Sequence, residues 1–522
     1  MAVLPRFVIA PAASLLLALP AAAGASAPDL QISEASRDGN TVSVAGTAGG
    51  DAVSVVIDKP GLDPAEVTFG DPTSVEEGAW SAAFDASGIG HTMSAYARAC
   101  DDLGCSYAAR DLEAVHTVVA VIEGGHTNPY HEFFHTGGSL YGSGAPTSVT
   151  PEVLEEFGID EDHIIRLTRT GDFAADFAAD QAQFTAIQVG QPYWFEGTNI
   201  IGVSLSSSNP LSPVQGGTHP VGTTSAVLTA NPETIVVSVQ SPGAPLGVPG
   251  FATYPAGEAW VFETPWVDLI TSSYGPPGSP PLGYHLTDSY RGVVERGKIA
   301  VGASDNSPAL SPVDATSGPW WVVGIAGFGE GSSEGRVLTS GSLPDFLADF
   351  TQTLPYCKSC ESGKSSVSGT SFASPRTAGT LSAILLQARR AAGHTGGIRT
   401  VDGTPVMVHG RGITRTNWQV RRALEEAAVY PTGGSGSDPG IPQQAPWSIA
   451  GWGVVTPAPA HGVIPEALAH LGISGTPTRS KSADTCAFMT ANILARHAWW
   501  DAAPFSQSEP SLEDPYEYCS PV

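Results

Sequence analysis

The 522-residue sequence predicts an α/β fold with a mainly parallel sheet, preceded by a small all-β module. The unbroken apolar run Thr117–Ile122 indicates the parallel sheet, because a strand buried on both faces has no alternating polar residues, and Lys298–Ala303 is a second such run. Short runs of alternating character, such as Thr41–Ala45 and Ala52–Ile57, are separated by Gly, Asp, Asn and Pro. Regularly spaced runs of this kind predict a β-sandwich before residue 114.

The charge of the chain excludes two classes of partner. With 24 Lys and Arg against 51 Asp and Glu, the formal net charge is −27. A strongly negative chain is repelled by nucleic acid and by anionic membrane surfaces. The 42% of hydrophobic residues and 14% of charged residues are typical of a globular protein rather than a disordered one.

Residues 1–27 have the layout of a secretory signal peptide. Arg6 precedes the apolar stretch Phe7–Leu19, and small residues follow as far as Ala27. This stretch is too short to span a bilayer, and no later segment reaches the necessary length of about 18 apolar residues. We therefore expect a secreted protein without a membrane span in the mature chain. We also expect a monomer. An uncleaved N-terminal anchor is the alternative.

The six cysteines form three local groups. In an exported chain an even number of cysteines favours disulfides. A zinc site would need four convergent ligands, and the one CxxC segment has no second CxxC. We predict three bridges, namely Cys100–Cys105, Cys357–Cys360 and Cys486–Cys519.

The segment Gly369–Pro375 carries the best candidate for a nucleophile. Small residues on both sides of Ser371 allow a tight turn, and the apolar spacing from Pro375 to Arg389 predicts a buried helix directly after it. At a helix N-terminus, backbone N–H groups and the positive end of the helix dipole stabilise an oxyanion. The alternative is an N-cap serine in a Gly/Ser-rich turn.

This segment, Gly-Thr-Ser-Phe-Ala-Ser-Pro, resembles the nucleophile motif Gly-Thr-Ser-x-Ala-Ser-Pro of subtilisin-like serine proteases. Four weaker motifs follow the order of that family, and the resemblance covers residues 115–475. It implies a three-layer α/β/α domain with a mainly parallel sheet and a catalytic triad in the order acid, histidine, serine. Ser371 would be the nucleophile.

The acid is expected at the end of the first buried strand, where open α/β sheets place their chemistry. The family has Asp-[Ser/Thr]-Gly after this strand, often followed by Asn-Pro-Tyr-His. Gly125 and the segment Asn128–His131 match this pattern. The acid departs from it, because Glu123 stands where the family has aspartate.

The histidine motif resembles His-Gly-Thr-x-[Val/Thr]-Ala-[Gly/Ser] in two possible registers. One places Gly216 at the position of the base and leaves the enzyme without one. The other makes His219 the base and places Pro220 at the first helical position, where its missing N–H costs nothing. We favour this register, with a plain loop histidine as the alternative.

Two further sites follow from the resemblance. After the strand 298–303 the family places an asparagine that, with the N–H of the nucleophile, binds the oxyanion; Asn306 matches it, although it would also suit a turn. A strand leading into Ser-x-Gly resembles the family's edge segment, whose backbone pairs with an extended peptide. This assigns substrate binding to Ser272, Ser273, Tyr274 and Gly275.

The string His131-Glu132-Phe133-Phe134-His135 also matches the zinc-protease motif HExxH. A helix between Pro129 and Gly137 would be a poor platform for zinc, and no third ligand follows at a suitable spacing. We assign His131 to the Asn-Pro-Tyr-His loop and expect no metal or cofactor. Structural calcium is possible, but no ligands can be assigned.

The expected organisation is a signal peptide (1–27), an immunoglobulin-like β-sandwich (28–114), a subtilisin-like peptidase domain (115–475) and a disulfide-clipped C-terminal extension (476–522). An inhibitory propeptide is the alternative for the second segment. The resemblance implies a secreted serine endopeptidase acting on peptides or proteins. A secreted pseudoprotease that binds peptides without cleaving them is the alternative, supported by the departures at Glu123 and Pro220.

Overall fold

The structure is a computed structural model. It describes residues 27–38, 41–58, 63–85, 94–112, 115–135, 148–206, 209–214, 217–245, 252–253, 255–274, 290–304, 306, 317–328, 337–339, 344–410, 413–429, 451–455 and 462–481.

The N-terminal strands form two antiparallel sheets. One has the order β1-β2-β5 and the other the order β4-β3-β6-β7. Alternate residues of β2, including Val42 and Val44, are buried, and they pack in one apolar cluster with Val53 and Trp80. The alternating sequence pattern therefore forms strands, as predicted; the immunoglobulin-like topology stays a prediction. The strands are β1 (Leu30–Asp38), β2 (Thr41–Ala48), β3 (Ala52–Asp58), β4 (Pro72–Ser74), β5 (Ala79–Asp85), β6 (Ser94–Asp101) and β7 (Gly104–Asp111).

A large, mainly parallel sheet follows, with the order β18-β17-β16-β15-β8-β12-β11-β10-β9, and β19 also pairs with β17. Among the pairs of described strands in this sheet, β10/β11 and β17/β18 are antiparallel and the others are parallel. The strands are β8 (Val118–Glu123), β9 (Ile164–Ile165), β10 (Pro192–Phe195), β11 (Ile200–Ser204), β12 (Ile235–Gln240), β15 (Leu269–Ser272), β16 (Ile299–Ala303), β17 (Val323–Phe328), β18 (Val337–Thr339) and β19 (Phe346–Asp349).

Short antiparallel pairs complete the strands: β13 (Ala244–Pro245) with β14 (Ala252–Thr253), β20 (Thr351–Leu354) with β21 (Ser365–Ser368), β22 (Arg399–Val401) with β23 (Thr404–Val406), and β24 (Val408–Gly410) with β25 (Ile413–Arg415). The hairpin β20-β21 directly precedes the Ser371 segment.

Helices cover both faces of the large sheet. Along β8, Val119 and Val121 belong to one apolar cluster, which includes residues of the helices His219–Ala230 and Thr370–Ala392. Val118, Ala120 and Ile122 belong to a second cluster, which includes residues of the helices Pro151–Glu156 and Pro255–Glu263. This two-sided burial explains the unbroken apolar run in the sequence. The α-helices with described bounds are α1 (Pro151–Glu156), α2 (Phe173–Thr185), α3 (His219–Ala230), α4 (Pro255–Glu263), α5 (Thr370–Ala392), α6 (Asn417–Ala427) and α7 (Val463–His470).

A buried ion pair fixes one end of the central strands. Arg389 and Asp268 are both fully buried, and two parallel hydrogen bonds of 2.6 Å join the guanidinium of Arg389 to the carboxylate of Asp268. The same carboxylate accepts the N–H of Val118 at the start of β8. Within the described parts of the chain, no helix has the length and apolar character needed to cross a membrane.

Candidate active site

Glu123 is the last residue of β8, in the middle of the large sheet. On one side Glu123 pairs with Gln240 of β12. On the other side the preceding residue, Ile122, pairs with Ser272 of β15. The N–H of Ser241 donates to the carbonyl of Glu123 at 2.9 Å, which holds the strand end. Since Glu123 is only 7% exposed, its carboxylate requires a hydrogen-bond donor inside the protein.

His219 provides that donor. Its Nδ1 lies 2.9 Å from Glu123 Oε1, and because an ionised carboxylate only accepts, Nδ1 carries the hydrogen and Nε2 is left as the basic nitrogen. Thr223, one helical turn later, donates its hydroxyl to the same oxygen at 3.0 Å. The negative charge of Glu123 raises the pKa of His219, against the lowering effect of burial.

The sequence pattern predicted Pro220 at the first position of a helix. Helix α3 begins at His219, so Pro220 is its second residue. The physical reason for the register still applies, because the N–H groups of the whole first turn lack partners within the helix. The helix is buried along almost its full length, which requires small side chains at its contacts.

Two glycines let α3 pack closely against α5. A Cβ on Gly222 would lie 2.6 Å from the ring of Phe372, and a Cβ on Gly379 would collide with the carbonyl oxygen of Val227. This close packing brings the ring of His219 to a centroid distance of 5.7 Å from the ring of Phe372, the residue directly after Ser371. The candidate base and nucleophile therefore lie at neighbouring helix starts.

Ser371 is the second residue of α5 and is half-buried. Gly369 precedes the helix with a φ of 153°, a conformation that favours glycine. Among the described residues, no backbone carbonyl accepts the N–H of Ser371. His219 Nε2 and Ser371 Oγ, both among the described residues, form no direct hydrogen bond with each other. Catalytic hydrogen bonds are often longer before substrate binds.

Asn306 lies beside the start of α5. Its Oδ1 accepts the N–H of Thr370 at 2.8 Å. The hydroxyl of Thr370 lies 3.0 Å from the same Oδ1 and also contacts the carbonyl of Ser304, which competes for its one hydrogen. With Oδ1 held in this way, the amide nitrogen Nδ2 remains as a donor, and it lies 3.8 Å from where a Cβ on Gly369 would stand. Asn306 as a residue is exposed.

The predicted substrate-binding segment divides into two parts. Ser272 is 1% exposed and lies inside the sheet, because β15 pairs with both β8 and β16. Its assignment to an edge that pairs with peptide is therefore wrong. Ser273 and Tyr274 follow the strand and are half-buried, and Gly275 lies outside the described residues.

The two histidines of the HExxH string are bonded to backbone. His131 accepts the N–H of Phe133 with Nδ1 and donates Nε2–H to the carbonyl of Gly363 at 2.8 Å, while His135 donates to the carbonyl of Pro129. Only the 3₁₀ helix Glu132–Phe134 forms here. Within the described residues, no three side chains of His, Cys, Asp or Glu form a metal-binding group.

Two of the three predicted cysteine pairs lie at disulfide distance. The pair Cys100–Cys105 joins β6 to β7, and the pair Cys357–Cys360 lies between β20 and β21. Asn128 donates to the carbonyls of Cys357 and Cys360, at 3.1 and 2.6 Å, and thereby holds this loop. The third pair, Cys486–Cys519, lies outside the described residues.

Sequence reasoning missed three residues that position the site. Thr223 binds Glu123, Thr370 orients Asn306, and Glu258 accepts a hydrogen bond from the hydroxyl of Tyr274. The spacing of four residues between His219 and Thr223 could have indicated the first, because it places both side chains on one face of a helix. The other two contacts join distant segments.

No known family matches the sequence in a scan of family profiles, and a search of curated proteins finds no relative. Among solved structures, the chain is similar to the prenylagaramide maturation protease PagA, with 14% identity and a TM-score of 0.37 over 69% of this chain and 94% of that one. It is also similar to a mutant of the protease domain of PatA, with 11% identity and a TM-score of 0.36 over 69% of this chain and 98% of that one. At these values neither likeness identifies a family or an activity.

Proposed function

We propose that this protein is a secreted serine endopeptidase that cleaves peptide bonds through an acyl-enzyme on Ser371. The observation that carries the proposal is the 2.9 Å hydrogen bond between His219 Nδ1 and Glu123 Oε1, beside the helix that begins at Thr370. Export is supported by the signal-like sequence of residues 1–27.

In this mechanism Ser371 Oγ attacks the carbonyl carbon of the scissile bond while His219 Nε2 takes its proton. The protonated His219 then donates that proton to the leaving amine, and a water molecule releases the acyl group by the same steps in reverse order. Glu123 keeps the hydrogen on Nδ1 and stabilises the imidazolium. The raised pKa of His219, caused chiefly by the charge of Glu123, supports this role.

The oxyanion formed by the attack would be bound by the N–H of Ser371 and by Asn306 Nδ2. Both groups lie at the start of α5, where the helix dipole favours negative charge. Thr370 restrains the amide of Asn306 through the hydrogen bond from its N–H to Oδ1, so Nδ2 is preorganised as a donor. Such preorganisation is what makes an oxyanion site effective.

Residues after β15 would bind the substrate. Ser273 and Tyr274 follow the strand end beside Glu123, and an extended peptide could pair with their backbone. Backbone pairing of this kind supplies affinity without selecting particular side chains, so the preference for cleavage sites would depend on pockets along the peptide.

A fluorophosphonate probe and a peptide-turnover assay test the proposal together. We expect the wild type to be labelled and to cleave peptides, Ser371→Ala to lose labelling, and His219→Ala to lose turnover by several orders of magnitude while remaining folded. Ser365→Ala, which changes an exposed serine in β21, is the matched control and should retain both activities. A folded, processed wild type that is not labelled would contradict the proposal and favour a peptide-binding pseudoprotease.

A further inference from the structure

Helix α4 carries a buried carboxylate for which the proposed chemistry has no use. Glu258 lies in the first turn of α4 and is 0% exposed. Its Oε1 accepts the hydroxyl hydrogen of Tyr274. A carboxylate removed from water is costly unless hydrogen bonds compensate it, so a residue of this kind usually serves a defined contact.

The charge of this carboxylate acts on two tyrosines, Tyr274 and Tyr290. Tyr290 and Ser272 are both 1% exposed. Burial is the largest cause that raises the pKa of Tyr274 and the pKa of Tyr290, and the negative charge of Glu258 is the second largest. Neither phenol therefore ionises near neutral pH. The hydroxyl of Tyr274 keeps its hydrogen and remains a donor to Glu258.

The first turn of α4 also packs against the strand that carries the candidate acid. The N–H of Gly257 donates to the hydroxyl of Ser241 at 3.1 Å, and a Cβ on Gly257 would lie 2.8 Å from the side chain of Ile122. Ile122 directly precedes Glu123. Glu258 is thus anchored to a rigid part of the sheet, and its position is fixed relative to β8.

From Tyr274 the contact continues to the nucleophile. The neighbouring residue Ser273 donates its hydroxyl to the carbonyl of Ser371 at 2.8 Å. Because Ser273 and Tyr274 are consecutive and lie just beyond β15, fixing the side chain of Tyr274 restrains the backbone that carries Ser273. The start of α5 is then held by Ser273 as well as by Asn306.

We infer that Glu258 is a positioning residue for Ser371, acting through Tyr274 and Ser273. The inference rests on the proposed function and adds to it a buried support on α4. A carboxylate makes a stronger bond to the phenol than a neutral group would, and so limits the movement of the Ser273–Tyr274 segment. Loss of this bond lets the nucleophile shift, and a shift of about 1 Å can lower a rate about a hundredfold.

The test compares Tyr274→Phe with Tyr193→Phe. Both changes remove one buried or half-buried phenol hydroxyl, but that of Tyr193 accepts the N–H of Gln188, far along the chain from the site. Five quantities are measured: kcat and KM for a peptide, the rate of fluorophosphonate labelling of Ser371, the melting temperature, and amide hydrogen exchange of peptides covering residues 269–274 and 369–376.

We expect Tyr274→Phe to lower kcat and the labelling rate by about tenfold, with little change in KM and faster exchange in both peptides. Glu258→Gln, which keeps an acceptor without the charge, should have a smaller effect. Ser273→Ala should add little when combined with Tyr274→Phe, because both act on one contact. Tyr193→Phe should leave the rates and the exchange of these peptides unchanged.

Two results would overturn the inference. One is a Tyr274→Phe variant whose kcat and labelling rate equal those of the wild type. The other is a Tyr193→Phe variant that loses as much kcat and labelling rate as Tyr274→Phe at an equal change in melting temperature. If the wild type neither cleaves peptides nor reacts with the probe, the proposed function is wrong. Hydrogen exchange then still decides the inference, because faster exchange of residues 369–376 in Tyr274→Phe alone supports the positioning role, and equal exchange in both variants refutes it.

Discussion

Shortening Glu123 to aspartate should impair the proposed peptidase activity, although aspartate is what the resembling family has at this position. Glu123 Oε1 already reaches His219 Nδ1 at 2.9 Å. Removing one methylene withdraws the oxygen by about 1.5 Å, the length of one C–C bond, which leaves a gap of about 4.4 Å if the backbone does not move. This distance is too long for a hydrogen bond, and the bond from Thr223 is lost with it.

We expect Glu123→Asp to lower kcat/KM by about a hundredfold, which corresponds to about 2.7 kcal/mol of transition-state stabilisation. Gly124 and Gly125 offer the backbone some freedom to follow the shorter side chain, but the hydrogen bond from Ser241 N–H to the carbonyl of Glu123 resists this movement.

The assay is the pH-independent kcat/KM for a fluorogenic peptide, together with the melting temperature. Glu161→Asp is the control, because Glu161 is an exposed residue whose ion pair with Arg166 lies outside the site. A rate that stays equal to wild type, or rises, would refute the reasoning. It would mean that the strand end is not fitted to glutamate or that Glu123 does not support His219.

Two further predictions concern charge. Glu123→Gln removes the negative charge that raises the pKa of His219, so the pKa of His219 should fall. Because His219 must be neutral to accept a proton, the acid limb of the pH profile of kcat/KM should move to lower pH. The plateau of kcat/KM should fall by roughly 10³-fold or more. An unmoved limb would show that another group titrates. Asp268→Asn leaves Arg389 as a buried charge without its counter-ion, so the free energy of unfolding should fall by about 3–5 kcal/mol in a urea titration, and an unchanged midpoint would contradict this.

The central strand and its acid could be predicted because local sequence determines them. The run Val118–Ile122 has no polar residue to face water, so it must lie between two layers, and the residue that follows it must stand at the carboxyl edge of the sheet. The register of the histidine segment could also be predicted from the sequence, because Pro220 suits only the first turn of a helix. These features need no knowledge of which segments meet.

The supporting contacts could not be predicted, because each joins segments far apart in the chain. A glutamate in an amphipathic or small-residue helix ordinarily faces water, so Glu258 carried no signal of burial until the position of Tyr274 was known. The same holds for Thr370 and Asn306, which are 64 residues apart. The interior position of β15 corrected the role of Ser272 for the same reason, because strand order is a tertiary property.

Contacts with helix α3 accommodate the departure from the family pattern at Glu123. Glutamate has one more rotatable bond than aspartate, and a freely rotating acid would hold the imidazole poorly. Here a single oxygen accepts hydrogen bonds from both His219 and Thr223, which lie on the same face of α3. The helix that supplies the candidate base therefore also fixes the rotamer of the candidate acid. The close packing of α3 on α5 at Gly222 positions the pair as a unit. The longer acid costs little under this arrangement, so its presence alone is no argument for an inactive protein.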